Sequence, residues 1–166
     1  MILPDELHRF LGVRLMSAQV AQASINLARR SFEAEELWLR GYPPQAERWL
    51  VNSVLLGEPV IEHDGKRYYG DDVRSLVLLP QSELPVGGSL IHLRSPAVIG
   101  VELYAGELDA GWVDKGILLR FADEGALLLS AECSGVSVRY DAAQIQQALA
   151  DWANDWPDLT LVQSVS

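Results

Sequence analysis

One cysteine, two lysines and three histidines in 166 residues are small numbers, and each removes a class of protein. A lone Cys133 closes no internal disulfide, so the chain is not a disulfide-stapled secreted scaffold. His8, His63 and His92 stand far apart, and there is no His-Glu-x-x-His, no Cys-x-x-Cys and no other metal-ligand spacing. Gly-x-x-x-x-Gly-Lys and strand–Gly-x-Gly-x-x-Gly–helix patterns, which cradle phosphates with backbone N–H groups, are missing as well. Gly87-Gly88-Ser89 leads into another strand pattern, not into the helix that a nucleophile elbow requires. No apolar run approaches the ~20 residues of a membrane-spanning helix. Met1-Ile2-Leu3-Pro4-Asp5-Glu6 has neither the early positive charge nor the apolar stretch of a signal peptide. These absences predict a cytoplasmic protein with no cofactor and no bound metal, and they lean away from an enzyme.

What is present is acid. Thirteen basic residues face 23 acidic ones, for a formal charge of −10. A negative surface repels phosphate, which argues against direct contact with nucleic acid or an anionic membrane. The charge is unevenly placed. Residues 1–50 hold six arginines against six acids, and residues 51–100 are net −2. Residues 101–166 hold eleven acids against Lys115, Arg120 and Arg139, a net −8. Hydrophobic residues make up 49% of the chain, enough for one core at this length. Residues 1–166 are therefore expected to form a single α+β domain.

The apolar spacing predicts N-terminal helices packed on a mainly antiparallel sheet, with a C-terminal helix. Pro4 to Leu11 reads as a short helix, with Pro and two acids in its first turn and Gly12 after it. Val20, Ala23, Leu27, Ala34, Leu37 and Trp38 fall near 3- and 4-residue steps, so Ser17 to Arg40 reads as one long helix or two. Alternation in Ser24-Ile25-Asn26-Leu27 leaves a strand open there. Pro44 to Leu56 reads as a helix after the Pro43-Pro44 break, with Trp49, Leu50, Val54 and Leu56 inward. From Pro59 the period changes. Val60 to Tyr69 around Asp64-Gly65 predicts a two-residue type I′ hairpin. Further strands are expected at Val73–Leu79, Leu90–Leu93, Ala97–Tyr104, Ile117–Phe121, Ala126–Ala131, Val136–Tyr140 and Leu159–Val165. Ile117-Leu118-Leu119 and Leu127-Leu128-Leu129 are apolar at consecutive positions, which places them at the sheet centre, covered on both faces. Asp141 caps a final helix from Ala142 to about Ala153.

Chemistry-bearing residues are scattered. Asp71-Asp72, and His63 between Glu62 and Asp64, read as solvated turns, and no catalytic pattern surrounds Cys133. The segment from Val101 to Lys115 differs, because it interleaves acids with aromatic residues as protein-binding hot spots do. Glu102, Tyr104, Glu107, Asp109, Trp112 and Asp114 are its candidate partner-binding residues.

Lys115-Gly116-Ile117-Leu118-Leu119-Arg120-Phe121 is followed by Asp123, Gly125 and Leu127-Leu128-Leu129. Val138-Arg139-Tyr140-Asp141-Ala142-Ala143 then comes with Ile145 and Leu149. This hairpin-plus-helix pattern, over about the last 50 residues, resembles small acidic bacterial immunity proteins of polymorphic toxin and type VI systems. The resemblance implies a non-enzymatic protein that binds and inhibits a cognate toxin. A basic toxin would suit the acidity, since complementary charge speeds association. Two other readings compete. One is an enzyme or small-molecule binder with a pocket between helices and sheet; the other is a phage-type inhibitor or nucleic-acid mimic.

Overall fold

Alternate burial, not a helical stripe, organises the first fifty residues. The computed structural model describes all residues except 27, 29, 43–46, 58–59, 70–72, 82–86, 109–110 and 133–134. A helix α1 (Pro4–His8) leads into strands β1 (Arg14–Ala21), β2 (Ser24–Asn26), β3 (Ser31–Ala34), β4 (Glu36–Tyr42) and β5 (Glu47–Gly57). The hairpin β6 (Val60–His63) and β7 (Lys66–Tyr69) follows, then β8 (Val73–Pro80) and β9 (Ser89–His92). The second half runs β10 (Val98–Leu108), β11 (Gly111–Phe121), β12 (Ala126–Glu132), β13 (Gly135–Arg139), α2 (Ala142–Asp155) and β14 (Thr160–Val165).

The helices expected over Ser17–Arg40 and Pro44–Leu56 are overturned: described residues of those spans form β1 to β5, and the chain is a mostly β protein, not α+β. The physical reason lies in the pairing. Leu15, Ala18 and Val20 point inward on β1, but a bulge between Leu15 and Ser17 shifts the alternation by one and hides the two-residue period. Leu37 and Leu39 on β4, and Trp49 and Val51 on β5, take the same inward side at a strict two-residue period. Long-range partners override the helix propensity of the Ala-, Leu-, Arg- and Glu-rich segment.

The strands form two larger sheets. One has the order β8-β5-β4-β1-β9 and the other β14-β10-β11-β12-β13-β3-β2, and every named pair is antiparallel. They pack face to face, with β8 and β5 against β11, β12 and β13. Leu15, Leu37, Leu39, Trp49 and Val51 meet Val101, Leu103, Ile117, Leu119, Leu129 and Val138 in one buried cluster. Phe10 plugs it from the turn after α1, its ring stacked on Trp49 at 4.4 Å between centroids.

The outer face of the seven-stranded sheet is covered as well. Ile145, Ala148 and Trp152 of α2 bury Leu118 and Leu128. This explains the consecutive apolar runs on β11 and β12, the third and fourth strands of seven: one set of side chains faces the other sheet and the next faces α2. Asp141 caps α2, its Oδ1 accepting the N–H groups of Ala143 and Gln144. In the β6–β7 hairpin Asp64 and Gly65 both take positive φ, 51° and 70°, as the type I′ turn requires. Among the described residues, no helix is long and apolar enough to cross a membrane. Asp71-Asp72, Asp109, Cys133 and the Pro43-Pro44 break lie outside the described residues.

Candidate binding surfaces

The acidic hairpin residues divide between the two faces of one sheet. On β10, Val101, Leu103 and Ala105 point into the core, so Glu102 and Tyr104 point to the side that carries α2. There Arg120 holds Glu102 through Nε at 2.5 Å and Nη2 at 3.2 Å. The Tyr104 hydroxyl donates to the same carboxylate at 2.9 Å, and its ring meets Trp152 edge-on. A bulge then changes the register. Tyr104 pairs with Gly116 but Ala105 pairs with Asp114, which leaves Lys115 as the extra residue. Asp114 consequently turns inward and is wholly buried, its Oδ1 accepting Trp112 Nε1–H at 2.8 Å and its Oδ2 accepting the Ile2 N–H at 2.7 Å. Glu107 is exposed near the hairpin end. The structure thus joins Glu102 to Tyr104 and Trp112 to Asp114, and sets the two pairs on opposite faces of the sheet.

Other acids of the last 66 residues have internal partners too. Glu132 receives Ser130 Oγ–H at 2.9 Å and lies 3.4 Å from Arg139 Nη1 and 3.6 Å from Lys115 Nζ. Lys115 reaches the Ala131 carbonyl from its buried site, with its ammonium 4.8 Å from the Trp156 ring. Asp123 holds the Gly125 N–H, and Asp141 caps α2. The −8 of this region is in good part a set of internal pairs and caps, not one charged surface.

The Glu102 cluster is electrostatically coupled. Burial pushes Tyr104 above its ordinary 10.0, to about 12, and the neighbouring Glu102 carboxylate adds to the rise. Burial also works to raise Glu102, but hydrogen bonds from Arg120 and Tyr104 outweigh it and hold it below the ordinary 4.5. Glu102 therefore contributes stability that is present above pH 4.5 and lost as pH falls through its depressed folded value. Tyr104 contributes stability that is full below pH 10 and lost as pH rises toward about 12. Titrating tyrosinate absorbance should show a late component from Tyr104 at about 12, and Glu102→Gln should lower it. A late component that Glu102→Gln leaves unchanged would disprove the coupling.

The sheet face that α2 does not cover offers a different surface. Outward positions on neighbouring strands align as Leu79–Leu50–Trp38–Gln19–Leu90 across all five strands of the smaller sheet. Leu79 is 46% and Leu90 56% exposed, while Trp38 and Leu50 are half-buried. The next row runs Arg48–Arg40–Ser17–His92, and beyond it Tyr42 pairs with Arg14. Arg40 and Arg48 are register partners across β4 and β5. Nothing in the local sequence marks this surface, because its residues come from five separate strands, three of them in segments read as helix.

Among the described residues, no group of three or more His, Cys, Asp or Glu side chains is arranged to hold a metal ion. The molecule is thus a β protein with two large sheets, one of them covered on its outer face by a helix and the other, among the described residues, not. Neither a protein-family model, nor a curated protein, nor a solved structure matches the chain.

Proposed function

We propose that the protein acts by binding another protein, which docks on the open face of the five-stranded sheet. The apolar row through Trp38, bordered by Arg14, Arg40 and Arg48, supports this reading. Trp and Arg are the residues that most often dominate protein interfaces, in an apolar centre with a polar rim. Charge favours the kind of partner. The chain carries 23 acids against 13 basic residues, yet among the described residues of this face Glu36 is the single carboxylate aligned with the arginines. The docking patch of the partner is therefore acidic around an apolar centre. A carboxylate from it would meet Arg40, beside the apolar row. The resemblance of the last third to toxin-immunity proteins suggests the form of the activity, which is inhibition by occupying the partner's surface.

Capture from the native cell with the wild type and three surface variants, followed by titration of the recovered protein, tests the proposal. Trp38→Ala and Arg40→Glu should each weaken binding roughly 30-fold or more, the size of a hot-spot loss, while Glu107→Lys leaves it unchanged. Binding that survives both changes on the sheet, or is lost only with Glu107→Lys, disproves the location. A dimer of the chain itself that Trp38→Ala dissociates would show a second copy to be the occupant and overturn the reading.

A further inference from the structure

Where the chain passes from β9 in one sheet to β10 in the other, a groove of about 330 Å³ opens at the end of the sandwich. Arg30, His92 and Arg94 line it together with Phe121, Asp123 and Tyr140. Among the described lining residues two arginines stand with one carboxylate, in a protein of net charge −10. That carboxylate is already engaged, Asp123 Oδ1 accepting the Gly125 N–H at 2.9 Å. Among the described residues, no carboxylate pairs with the side chain of Arg30 or Arg94.

Both arginines are held in place by unusual backbone. Arg30 has φ +48° and Arg94 φ +47°, in the left-handed region that long L side chains seldom occupy. The Leu93 and Arg94 N–H groups converge on the Met16 carbonyl at the β1 bulge, at 3.1 and 3.4 Å, which fixes the turn. The Arg30 carbonyl accepts the Tyr140 N–H at 3.3 Å, and its guanidinium lies over the Tyr140 ring at 5.5 Å. Backbone strain of this kind tends to persist where it aims a functional side chain. Two planar cations beside two aromatic rings match a ligand with an anionic head and an apolar body, and the volume lies at the small end of ligand sites.

We propose that this groove binds a small organic anion, its carboxylate or phosphate held by Arg30 and Arg94 and its apolar part set against Phe121 and Tyr140. Calorimetric titration and thermal shift with phenyl phosphate, benzoate, inorganic phosphate and benzyltrimethylammonium test it. At least one aromatic anion should bind saturably and raise the melting temperature, more tightly than inorganic phosphate, and the cation should not bind. Arg94→Gln should weaken that anion roughly ten- to a hundredfold, the size of a lost charged hydrogen bond. Arg94→Gly, which relieves the positive φ, should fold at least as well as the wild type and still lose the anion. Failure of both aromatic anions to bind, equal binding of the cation, or undiminished binding by Arg94→Gln would each overturn the site. Inorganic phosphate binding as tightly as phenyl phosphate would overturn the role of the two rings.

Discussion

Trp152→Ala is expected to destabilise the fold by about 3–5 kcal/mol, the range for deleting a buried aromatic side chain. Trp152 is the largest buried side chain of α2, at 7% exposure. Three features of the sheet depend on it. Gly116 leaves room for the ring, and a Cβ there would collide with its Cη2 and Cζ3 atoms. Tyr104 meets it edge-on at 6.1 Å. The Lys115 ammonium lies 5.7 Å from its centre, so removal of the ring also strips a cation–π partner from a buried charge. Urea unfolding measures the loss. Gly116→Ala fills the same contact from the other side and should cost about 1–3 kcal/mol by overpacking. If Trp152→Ala costs under about 1 kcal/mol, the scale of an exposed position, α2 is not the cover of this sheet.

Asp114→Ala is expected to cost about 3 kcal/mol, because it strands buried donors. The carboxylate is fully buried and accepts two of them, the Trp112 indole and the Ile2 amide, while the Met1 amino nitrogen lies 3.4 Å away. Alanine would leave both donors with no acceptor, at roughly 1–3 kcal/mol each. Asp114→Asn is a finer probe. Its amide oxygen can satisfy one donor, but its NH2 group faces the other, so the loss should fall between wild type and alanine. Thermal unfolding of the three proteins should rank them in that order. Asn as stable as Asp would mean that the second acceptor oxygen contributes nothing.

From β6 onward the fold is open to reading from local patterns, and β1 to β5 are not. Asp64-Gly65 announces its hairpin because few other pairs tolerate positive φ at both positions. Consecutive apolar residues such as Ile117-Leu118-Leu119 announce a strand covered on both faces, and Asp141 announces the start of α2. On β1 the signal is broken by the Met16 bulge, and the chance spacing of Val20, Leu37 and Trp38 imitates a helix. What decides the matter is pairing with β4 and β9, a distant fact that no window contains. The binding surfaces follow the same rule. Glu102 to Asp114 look like one patch in sequence, but the extra residue at Lys115 sends Asp114 inward. Trp38, Leu50, Leu79 and Leu90 look unrelated in sequence and become one row.

The interleaving of the two sheets has a consequence for how the molecule is made. β1 completes its pairing with β9, Gly12 and Val13 bond to Val98, and β3 pairs with β13, all of them partners far downstream in the chain. Such topology folds slowly, in roughly milliseconds to seconds for comparable β proteins. During synthesis, the open edges of β1 and β3 must wait until most of the chain has emerged. In that interval Leu15, Val20, Phe32 and Leu37 lack the second sheet that buries them. Shortening the chain from its C-terminal side should therefore yield aggregation of the N-terminal part, not a smaller folded protein.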